Sequence, residues 1–318
     1  MNRGLSVAVL IPCCNEELAV AKTVREFRQA IPQAVVYVYD NNSTDRTAQL
    51  AADAGAVVRS EPLRGKGHVV RRMFSDVDAD IYVLVDGDAT YDANATQAMI
   101  ERLVDENLDM VVGKRVHLSV DAYRRGHVVG NRVMSRFLGS LFGQRCTDLF
   151  SGYRVFSRRF VKSFPALSTG FETETERTVH ALRLDMPMAE IETHYSARPA
   201  GSESKLKTYR HGLRIFLVML ALFRNERPLI FFGGVASVLA VVSLGLAWPL
   251  VTTFAETGLV PRLPTAVLCA AIMLLAFLSL SCGLILDTVT RGRRELRRLF
   301  YLQSPSVQDA GRADRSAR

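Results

Sequence analysis

Residues 80–92 read DIYVLVDGDATYD, an apolar run that ends in two carboxylates separated by one glycine. Because strand side chains alternate between faces, Asp86 and Asp88 would point the same way, with about 6–7 Å between their Cα atoms. Asp and Gly are depleted inside strands, so we expect both carboxylates just beyond a strand over 81–85. Open parallel sheets bind ligands at that edge, and the pair could share one divalent ion. An ordinary polar turn is the alternative, since Asp-Gly is a common turn dipeptide.

The residues before this segment alternate between short apolar runs and amphipathic stretches. Apolar runs cover 6–11, 34–39 and 56–59, and helices are predicted over 17–30, 43–54 and 67–76. Ser43 or Thr44 is the expected N-cap of the second helix. Strands that alternate with helices indicate a parallel sheet with right-handed crossovers. The expected fold class is therefore α/β, with a parallel-dominated sheet and flanking helices.

Two long runs in the last third of the chain carry no charged residue, at 229–255 and 263–286. Each is long enough to cross a bilayer as a helix, which needs about 20 apolar residues. Two buried helices of a soluble core are the alternative, but uninterrupted apolar runs of such helices rarely exceed about 14 residues. The sequence therefore predicts two transmembrane helices within 228–287.

The formal charge of +8 lies around these two runs. Residues 1–200 hold 25 basic and 25 acidic residues, whereas 201–228 hold 6 against 2 and 287–318 hold 8 against 4. A neutral first domain argues against nucleic-acid binding, which needs a basic face. Under the positive-inside rule, the charged flanks place the first domain and both termini in the cytoplasm. We expect a multi-pass protein of the cell (inner) membrane.

The segments around the apolar runs complete the expected organisation. Residues 205–224, KLKTYRHGLRIFLVMLALFR, place basic residues ahead of an apolar stretch that is too short to span a bilayer. That pattern is typical of an interfacial amphipathic helix, with an ordinary packing helix as the alternative. The polar tail after about residue 304 is predicted to be disordered. The expected regions are a first domain over 1–205, a juxtamembrane helix over 206–227, the membrane helices over 228–287 and a basic tail over 288–318.

Three features at successive strand ends indicate what such a sheet would bind. The dinucleotide fingerprint G-x-G-x-x-G is missing, and Gly65–Gly67 does not form a Walker loop. Asp40 could accept hydrogen bonds from a ribose or a base, and Lys66 could approach a phosphate. Asp86 and Asp88 could hold Mg²⁺ or Mn²⁺ against a diphosphate, because Mg²⁺ commonly uses one or two carboxylates plus phosphate oxygens. Each feature alone is typical of a solvated loop, and together they predict a nucleotide site.

Six segments in combination resemble the motifs of the GT-A fold glycosyltransferases of family 2, and among these the polyprenyl-phosphate (dolichol-phosphate) glycosyltransferases. The segments are VLIPCCNEE (9–17), VYDNNSTDRT (38–47), RGKG (64–67), VDGDATYD (85–92), DLFSGYRVF (148–156) and SESKLKTYRHG (202–212). The resemblance covers roughly residues 5–215. It implies a GT-A type sheet, and any one of the motifs alone would be weak.

The resemblance also implies site residues. Those implied to bind the nucleotide sugar are Pro12, Asn15, Glu17, Asp40, Asn42, Lys66, Asp86, Asp88, Arg198 and Ser204. Those implied in catalysis are Asp88, Arg115, Arg132, Asp148, Arg154 and Lys205. Asp86 and Asp88 match the D-x-D that holds Mg²⁺ or Mn²⁺. The sequence departs from the family pattern at Gly87, where many members have Ala, and at Tyr91, where several have Gln or Asp-Pro.

The implied reaction moves a hexose-type sugar from a nucleotide diphosphate sugar to a polyprenyl phosphate, with inversion at C1. UDP-sugar is the first choice of donor and GDP-mannose the second. Because the second pKa of a phosphate monoester is about 6, the acceptor is already anionic and needs no strong base. Arg115 and Arg132 would hold the attacking phosphate, while the metal and Lys205 would stabilise the leaving diphosphate. A hydroxyl acceptor would need a base, for which Asp148 is the candidate.

Two other functions stay open at the level of sequence. One is a glycosyltransferase that acts on a glycan or a diacylglycerol. The other is a non-catalytic membrane partner that binds a nucleotide sugar. The expected partners are thus a nucleotide sugar donor, a polyprenyl phosphate acceptor and the membrane, with a homo-oligomer possible and no nucleic acid.

Overall fold

Within the described residues, seven strands form one mixed sheet. The computed structural model describes residues 4–117, 136, 139, 147–170, 172–196 and 220–316. The strands are β1 (Val7–Cys13), β2 (Val35–Asp40), β3 (Val57–Ser60), β4 (Ile81–Leu84), β5 (Met110–His117), β6 (Arg154–Ser157) and β7 (Met188–Tyr195). Their order in the sheet is β3-β2-β1-β4-β6-β5-β7.

Most neighbouring strands of this sheet run in parallel. β1 pairs in parallel with β2 and β4, β2 pairs in parallel with β3, and β5 does so with β7. β6 is antiparallel to both of its neighbours, β4 and β5. All four residues of β4 are buried, which explains why that strand reads as a continuous apolar run. The predicted α/β class and parallel-dominated sheet are confirmed, with one reversed strand that the sequence did not indicate.

Helices cover both faces of the sheet. Among the described residues these are α1 (Val20–Ala30), α2 (Thr47–Asp53), α3 (Lys66–Asp76), α4 (Ala95–Asp105), α5 (Arg158–Ser163) and α6 (Thr173–Arg183). In α1, Val20, Val24 and Phe27 are buried at helical spacing and pack into the core on one side of the sheet. On the other side, Val70 and Met73 of α3 pack into a second core cluster.

The start of α2 differs from its prediction. Its N-cap is Arg46, and no side chain caps the helix. The two predicted caps are engaged elsewhere, because Asn15 donates its backbone N–H to Ser43 Oγ and accepts from the backbone N–H of Thr44. The loop after β2 is therefore tied to the loop after β1, and the helix begins later than predicted.

A second structural unit, residues 213–296, contains two long helices. They are α7 (Pro228–Thr257) and α8 (Leu263–Gln303), and the end of α8 belongs to the first unit. Both are long and apolar enough to cross a membrane. Ser243 Oγ donates to the carbonyl of Cys269 at 2.8 Å, and a Cβ on Gly283 would lie 3.0 Å from Phe232 Cβ. Small and hydroxyl side chains therefore let the two helices approach closely.

The end of the chain packs on the first unit as a short helix. Helix α9 (Val307–Ser316) begins with Val307, whose side chain joins the core and is only 3% exposed. Gln308 donates to the carbonyls of Val104 and Asp105, the last two residues of α4. The prediction of a disordered tail is wrong. Val307 and the side-chain amide of Gln308 hold the helix on the first unit through contacts that the polar sequence pattern does not reveal.

Some predictions fall outside the described residues. They include most of the juxtamembrane helix over 206–227 and four implied site residues, Arg132, Arg198, Ser204 and Lys205.

Candidate active site

The carboxyl ends of β2, β1 and β4 meet at one edge of the sheet, because these three strands are parallel neighbours. Asp40 is the last residue of β2 and pairs in register with Cys13 at the end of β1. Asp86 and Asp88 follow the end of β4, as predicted. The sheet topology thus places the predicted nucleotide-binding and metal-binding carboxylates along one edge.

Asp40 carries an unused acceptor at this edge. Its Oδ2 accepts the backbone N–H of Ser43 at 3.2 Å. Its Oδ1 is buried and has no hydrogen-bond partner in the described part of the chain. Leaving a buried carboxylate oxygen unpaired costs about 1–3 kcal/mol or more, so a ligand that brings an N–H or O–H donor would be stabilised here.

Other residues implied at the nucleotide pocket shape its loops. Asn15 and Asn42 both have positive φ, of 52° and 56°, a conformation that Asn tolerates better than most residues. Glu17 Oε2 accepts the backbone N–H of Arg46, and Asn42 donates to the carbonyl of Pro62. Pro12 is half-buried in β1. These side chains fix the turns around the pocket through contacts within the protein.

The Gly-Lys-Gly loop is held against residues 168–169. A Cβ on Gly65, whose φ is +132°, would lie 2.2 Å from the carbonyl oxygen of Thr169. Gly67 donates its backbone N–H to that same oxygen at 3.1 Å. Asn41, which the sequence analysis missed, accepts from the backbone N–H of Gly65 at 2.7 Å. This packing fixes Lys66 as the first residue of α3.

Lys66 joins two carboxylates at the centre of the site. Its Nζ lies 2.5 Å from Asp86 Oδ1 and 2.6 Å from Glu174 Oε1, in surroundings that leave 9% of the lysine side chain exposed. Burial lowers the pKa of Lys66, but the charges of Asp86 and Glu174 raise it by more, so the amine stays protonated. Asp86 is thereby paired in the protein as it stands.

Gly152 and Gly87 allow the close packing around the two aspartates. A Cβ on Gly152 would lie 2.2 Å from Asp86 Oδ2, and the Gly152 backbone N–H donates to Tyr91 Oη at 2.9 Å. A Cβ on Gly87 would lie 2.4 Å from Cys13 Sγ. The departure from the family pattern at position 87 therefore has a local cause, because the cysteine fills the space that an alanine methyl group would need.

The two aspartates of the Asp-Gly-Asp pair could supply only part of the ligands of a metal ion. Asp88 is 3% exposed, and its Oδ1 accepts from the hydroxyl of Thr90 at 2.6 Å, which fixes the orientation of the carboxylate. No group of three or more His, Cys, Asp or Glu side chains among the described residues is arranged to hold a metal ion. Asp86 and Asp88 could hold Mg²⁺ or Mn²⁺ only if a ligand such as a diphosphate and water supplied the remaining oxygens.

Arg115 of β5 and Asp148 form a bidentate ion pair, and β6 separates β5 from β4 in the sheet. The guanidinium donates from Nε at 2.8 Å and from Nη2 at 2.7 Å to the two carboxylate oxygens. Burial raises the pKa of Asp148, but hydrogen bonds and the charge of Arg115 lower it by more. The third guanidinium nitrogen, Nη1, makes no hydrogen bond to a described residue. Asp148 is therefore suited to orient Arg115 and poorly suited to take up a proton.

Arg154 lies inside the fold, away from solvent. It is fully buried and donates to the carbonyls of Ser151 and Leu149 and to the hydroxyl of Thr178. These contacts fix the loop that carries Gly152. The side chain of Arg154 thus has no exposed surface of its own, and its charge helps to lower the pKa of Asp148. Its role in catalysis stays a prediction.

Two charged residues of α6, Glu174 and Arg177, also lie at the site and were not predicted from sequence. Glu174 contacts Lys66, and Arg177, one turn later, is fully buried. The three guanidinium nitrogens of Arg177 have no hydrogen-bond partner in the described part of the chain. The guanidinium carbon, Cζ, lies 6.0 Å from the ring centre of Phe156. Burial and the charge of Arg154 lower the pKa of Arg177 to about 10. Acidic residues in the first turn of a helix are common, so the sequence did not indicate that Glu174 contacts Lys66.

Comparison with known proteins identifies relatives of this chain. The family model "Glycosyl transferase family 2" matches residues 8–164. The glycosyltransferase AglJ of Haloferax volcanii is 35% identical over 244 residues, which are 76% of this chain and 80% of that protein. The dolichyl-phosphate hexose transferase of the same organism is 24% identical over 222 residues, 70% of this chain and 95% of that protein.

A solved structure has the same fold. The glucosyl-3-phosphoglycerate synthase of Mycobacterium tuberculosis, in complex with Mn²⁺, UDP and glucosyl-3-phosphoglycerate, superposes with a TM-score of 0.56. The two chains are 22% identical, and the match covers 69% of this chain and 79% of the other.

Proposed function

This chain belongs to glycosyl transferase family 2, and on that premise we propose that it transfers a hexose-type sugar from a nucleotide diphosphate sugar to a polyprenyl phosphate. The sugar would invert at C1. UDP-sugar is the favoured donor and GDP-mannose the second choice. The observation that carries the proposal is the single sheet edge on which the unpaired Asp40 oxygen and the Lys66–Asp86 pair both lie.

The donor would lie along this edge. Asp40 Oδ1 would accept an N–H from the base, which removes the cost of its unpaired state. Lys66 would contact the diphosphate. Asp86 and Asp88 would hold Mg²⁺ or Mn²⁺, and a bound metal would neutralise charge on the departing nucleoside diphosphate. The Mn²⁺ and UDP of the mycobacterial synthase support this assignment by analogy.

The acceptor would be held by Arg115. An ionised phosphate monoester needs orientation and charge stabilisation rather than a strong base. Asp148 holds Arg115 through two hydrogen bonds, which leaves Nη1 for a phosphate oxygen. Because the pKa of Asp148 is lowered, this carboxylate would be a weak base for a hydroxyl acceptor. The ion pair therefore favours a phosphate acceptor over a glycan or diacylglycerol.

The rest of the chain suits a lipid substrate. Two helices long and apolar enough to cross a membrane follow the first unit. A polyprenyl chain is confined to the bilayer, so an enzyme that uses it benefits from the same confinement. The name of the dolichyl-phosphate hexose transferase supports this acceptor class, at 24% identity. We propose a multi-pass protein of the cell (inner) membrane with its catalytic domain and both termini in the cytoplasm.

Arg154 would act indirectly, by holding the loop of Gly152 against Asp86. Arg132, Arg198, Ser204 and Lys205 keep the roles that the family resemblance implies, two on the donor, one on the acceptor phosphate and one on the leaving group.

A transfer assay tests the proposal. The purified full-length protein is incubated with labelled UDP- and GDP-sugars and with undecaprenyl phosphate, dolichyl phosphate or diacylglycerol, with and without EDTA. We expect labelled polyprenyl product that EDTA abolishes and that Asp88→Asn lowers by at least about 100-fold. Asp53→Asn, on the exposed end of α2, is the matched control and should keep wild-type activity. Product on diacylglycerol alone would replace the proposed acceptor, and no product with any donor would support the non-catalytic alternative.

A further inference from the structure

Lys66 occupies a position from which it neutralises the first carboxylate of the Asp-Gly-Asp pair. Its ammonium lies 2.5 Å from Asp86 Oδ1, in direct contact. A second contact, of 2.6 Å to Glu174 Oε1, makes the lysine a bridge between the end of β4 and the start of α6. In the protein without ligands, Asp86 therefore already has a cation.

Among the described residues, the cluster around this bridge contains charges of both signs. Two carboxylates, Asp86 and Glu174, face two cations, Lys66 and Arg177. Arg177 makes no hydrogen bond to a described residue, so it acts on both carboxylates through space rather than through a direct contact. A divalent cation that bound Asp86 would therefore enter a place that already holds two cations, Lys66 and Arg177.

A divalent cation that bound Asp86 would lie close to the ammonium of Lys66. Like charges about 4 Å apart repel each other strongly where the protein excludes water. Lys66 can relieve this repulsion by moving away from Asp86. The diphosphate of a donor would offer Lys66 new anionic oxygens. Lys66 would keep its contact with Glu174 while its ammonium group moves away from Asp86.

We infer that Lys66 competes with the divalent cation for Asp86, and that the donor's diphosphate ends this competition by taking Lys66 as its own partner. The inference rests on the proposed nucleotide-sugar site and adds a rule for its assembly. Metal and nucleotide bind with positive cooperativity, because each one reduces the cost of binding the other. Glu174 is a positioning residue, since it holds the lysine within reach of both partners.

Binding of Mn²⁺ to the full-length protein tests the inference without turnover. The electron paramagnetic resonance signal of free Mn²⁺ gives the metal affinity, with and without saturating UDP. In wild type, UDP should tighten Mn²⁺ binding by at least about tenfold. In the absence of UDP, Lys66→Met should bind Mn²⁺ at least about tenfold more tightly than wild type does. Addition of UDP should then raise the Mn²⁺ affinity of this variant only a little.

Two more variants make the outcome decisive. Lys22→Met removes a lysine from an exposed pair with Glu26 and should behave as wild type. The double variant Lys66→Met/Glu174→Gln removes one charge of each sign, so it keeps the net charge of the site. It should show the same gain in Mn²⁺ affinity as Lys66→Met.

Equal Mn²⁺ affinity of wild type and both Lys66 variants in the absence of UDP would overturn the inference. Failure of UDP to bind wild type would overturn the proposed donor site instead. The measurement without UDP would still decide whether Lys66 and Mn²⁺ compete.

Discussion

Replacing Asp148 with Asn separates two roles for this carboxylate, an anchor for Arg115 and a general base. Asn has nearly the same shape as Asp and no charge. In the wild-type protein, Arg115 donates to both carboxylate oxygens of Asp148, at 2.8 and 2.7 Å. In the variant, the amide oxygen still accepts one of these hydrogen bonds, while the amide nitrogen faces the other donor. The substitution therefore removes one charge-assisted hydrogen bond and leaves the local packing intact.

The structure sets the size of the expected effect. A hydrogen bond to a charged group contributes about 1.5–3 kcal/mol. The side chain of Arg115 is 23% exposed, so solvent screens part of this interaction and the lower half of that range applies. A loosened Arg115 should then raise the KM for polyprenyl phosphate by about tenfold. Loss of a general base would instead lower kcat by about 100-fold or more.

The stability of this variant should depend on pH in a defined direction. Hydrogen bonds and the charge of Arg115 outweigh burial and lower the pKa of Asp148 in the folded protein. A carboxyl group whose folded pKa lies below its unfolded value of about 3.9 contributes stability above that pH and loses it as the pH falls through the folded pKa. The difference in unfolding free energy between wild type and Asp148→Asn should be constant above about pH 5 and shrink below about pH 4.

Initial rates at varied polyprenyl phosphate and pH, with urea unfolding from acid to neutral pH, measure these effects. We expect a raised KM, a kcat within about threefold of wild type and an unchanged shape of the pH profile. Glu192→Gln is the control, because it breaks an exposed ion pair with Lys114 beside Arg115. A large loss of kcat, together with loss of the acid limb of the profile, would refute the anchor role and favour a hydroxyl acceptor.

Three other substitutions test single contacts. Gly87→Ala places a methyl group 2.4 Å from Cys13 Sγ, so it should lower the free energy of unfolding by about 1–3 kcal/mol, and added Cys13→Ala should restore most of that loss in a urea titration. Asp40→Ala should weaken UDP binding by about tenfold in calorimetry, and an unchanged affinity would remove Asp40 from the site. Tyr301→Phe removes a 2.7 Å hydrogen bond to the buried Asp109 carboxylate and should cost about 1.5–3 kcal/mol, whereas an unchanged urea midpoint would show that this contact adds no stability.

The parts of the fold that follow from local pattern could be predicted from sequence. β1 to β4 and α1 to α3 alternate as the apolar runs indicate, because each run must bury its side chains against the next element. Parallel strands then bring their carboxyl ends together, and so Asp40 and Asp86 share one edge. The predicted N-cap of α2 shows where local pattern fails. Ser43 does not cap the helix, because its hydroxyl oxygen accepts the backbone N–H of Asn15 from another loop.

Contacts between distant segments could not be predicted. Glu174 lies 108 residues from Lys66, and nothing in its own helix indicates the pairing. Arg154 matches a family motif, but only the packing of its loop decides that the side chain points into the fold. The same holds for α9, where Val307 joins the core from the far end of the chain. Such contacts depend on tertiary packing, which a local pattern does not encode.

The phosphorus in the product tests the central claim most directly. Polyprenyl phosphate, a UDP-sugar and Mn²⁺ are incubated with the purified protein, and the lipid fraction is followed by ³¹P and ¹H NMR. The account predicts that the monoester signal of the acceptor gives way to a phosphodiester whose attached sugar has the opposite anomeric configuration to the donor. An unchanged monoester, with the sugar released free or linked to a hydroxyl group, would contradict it.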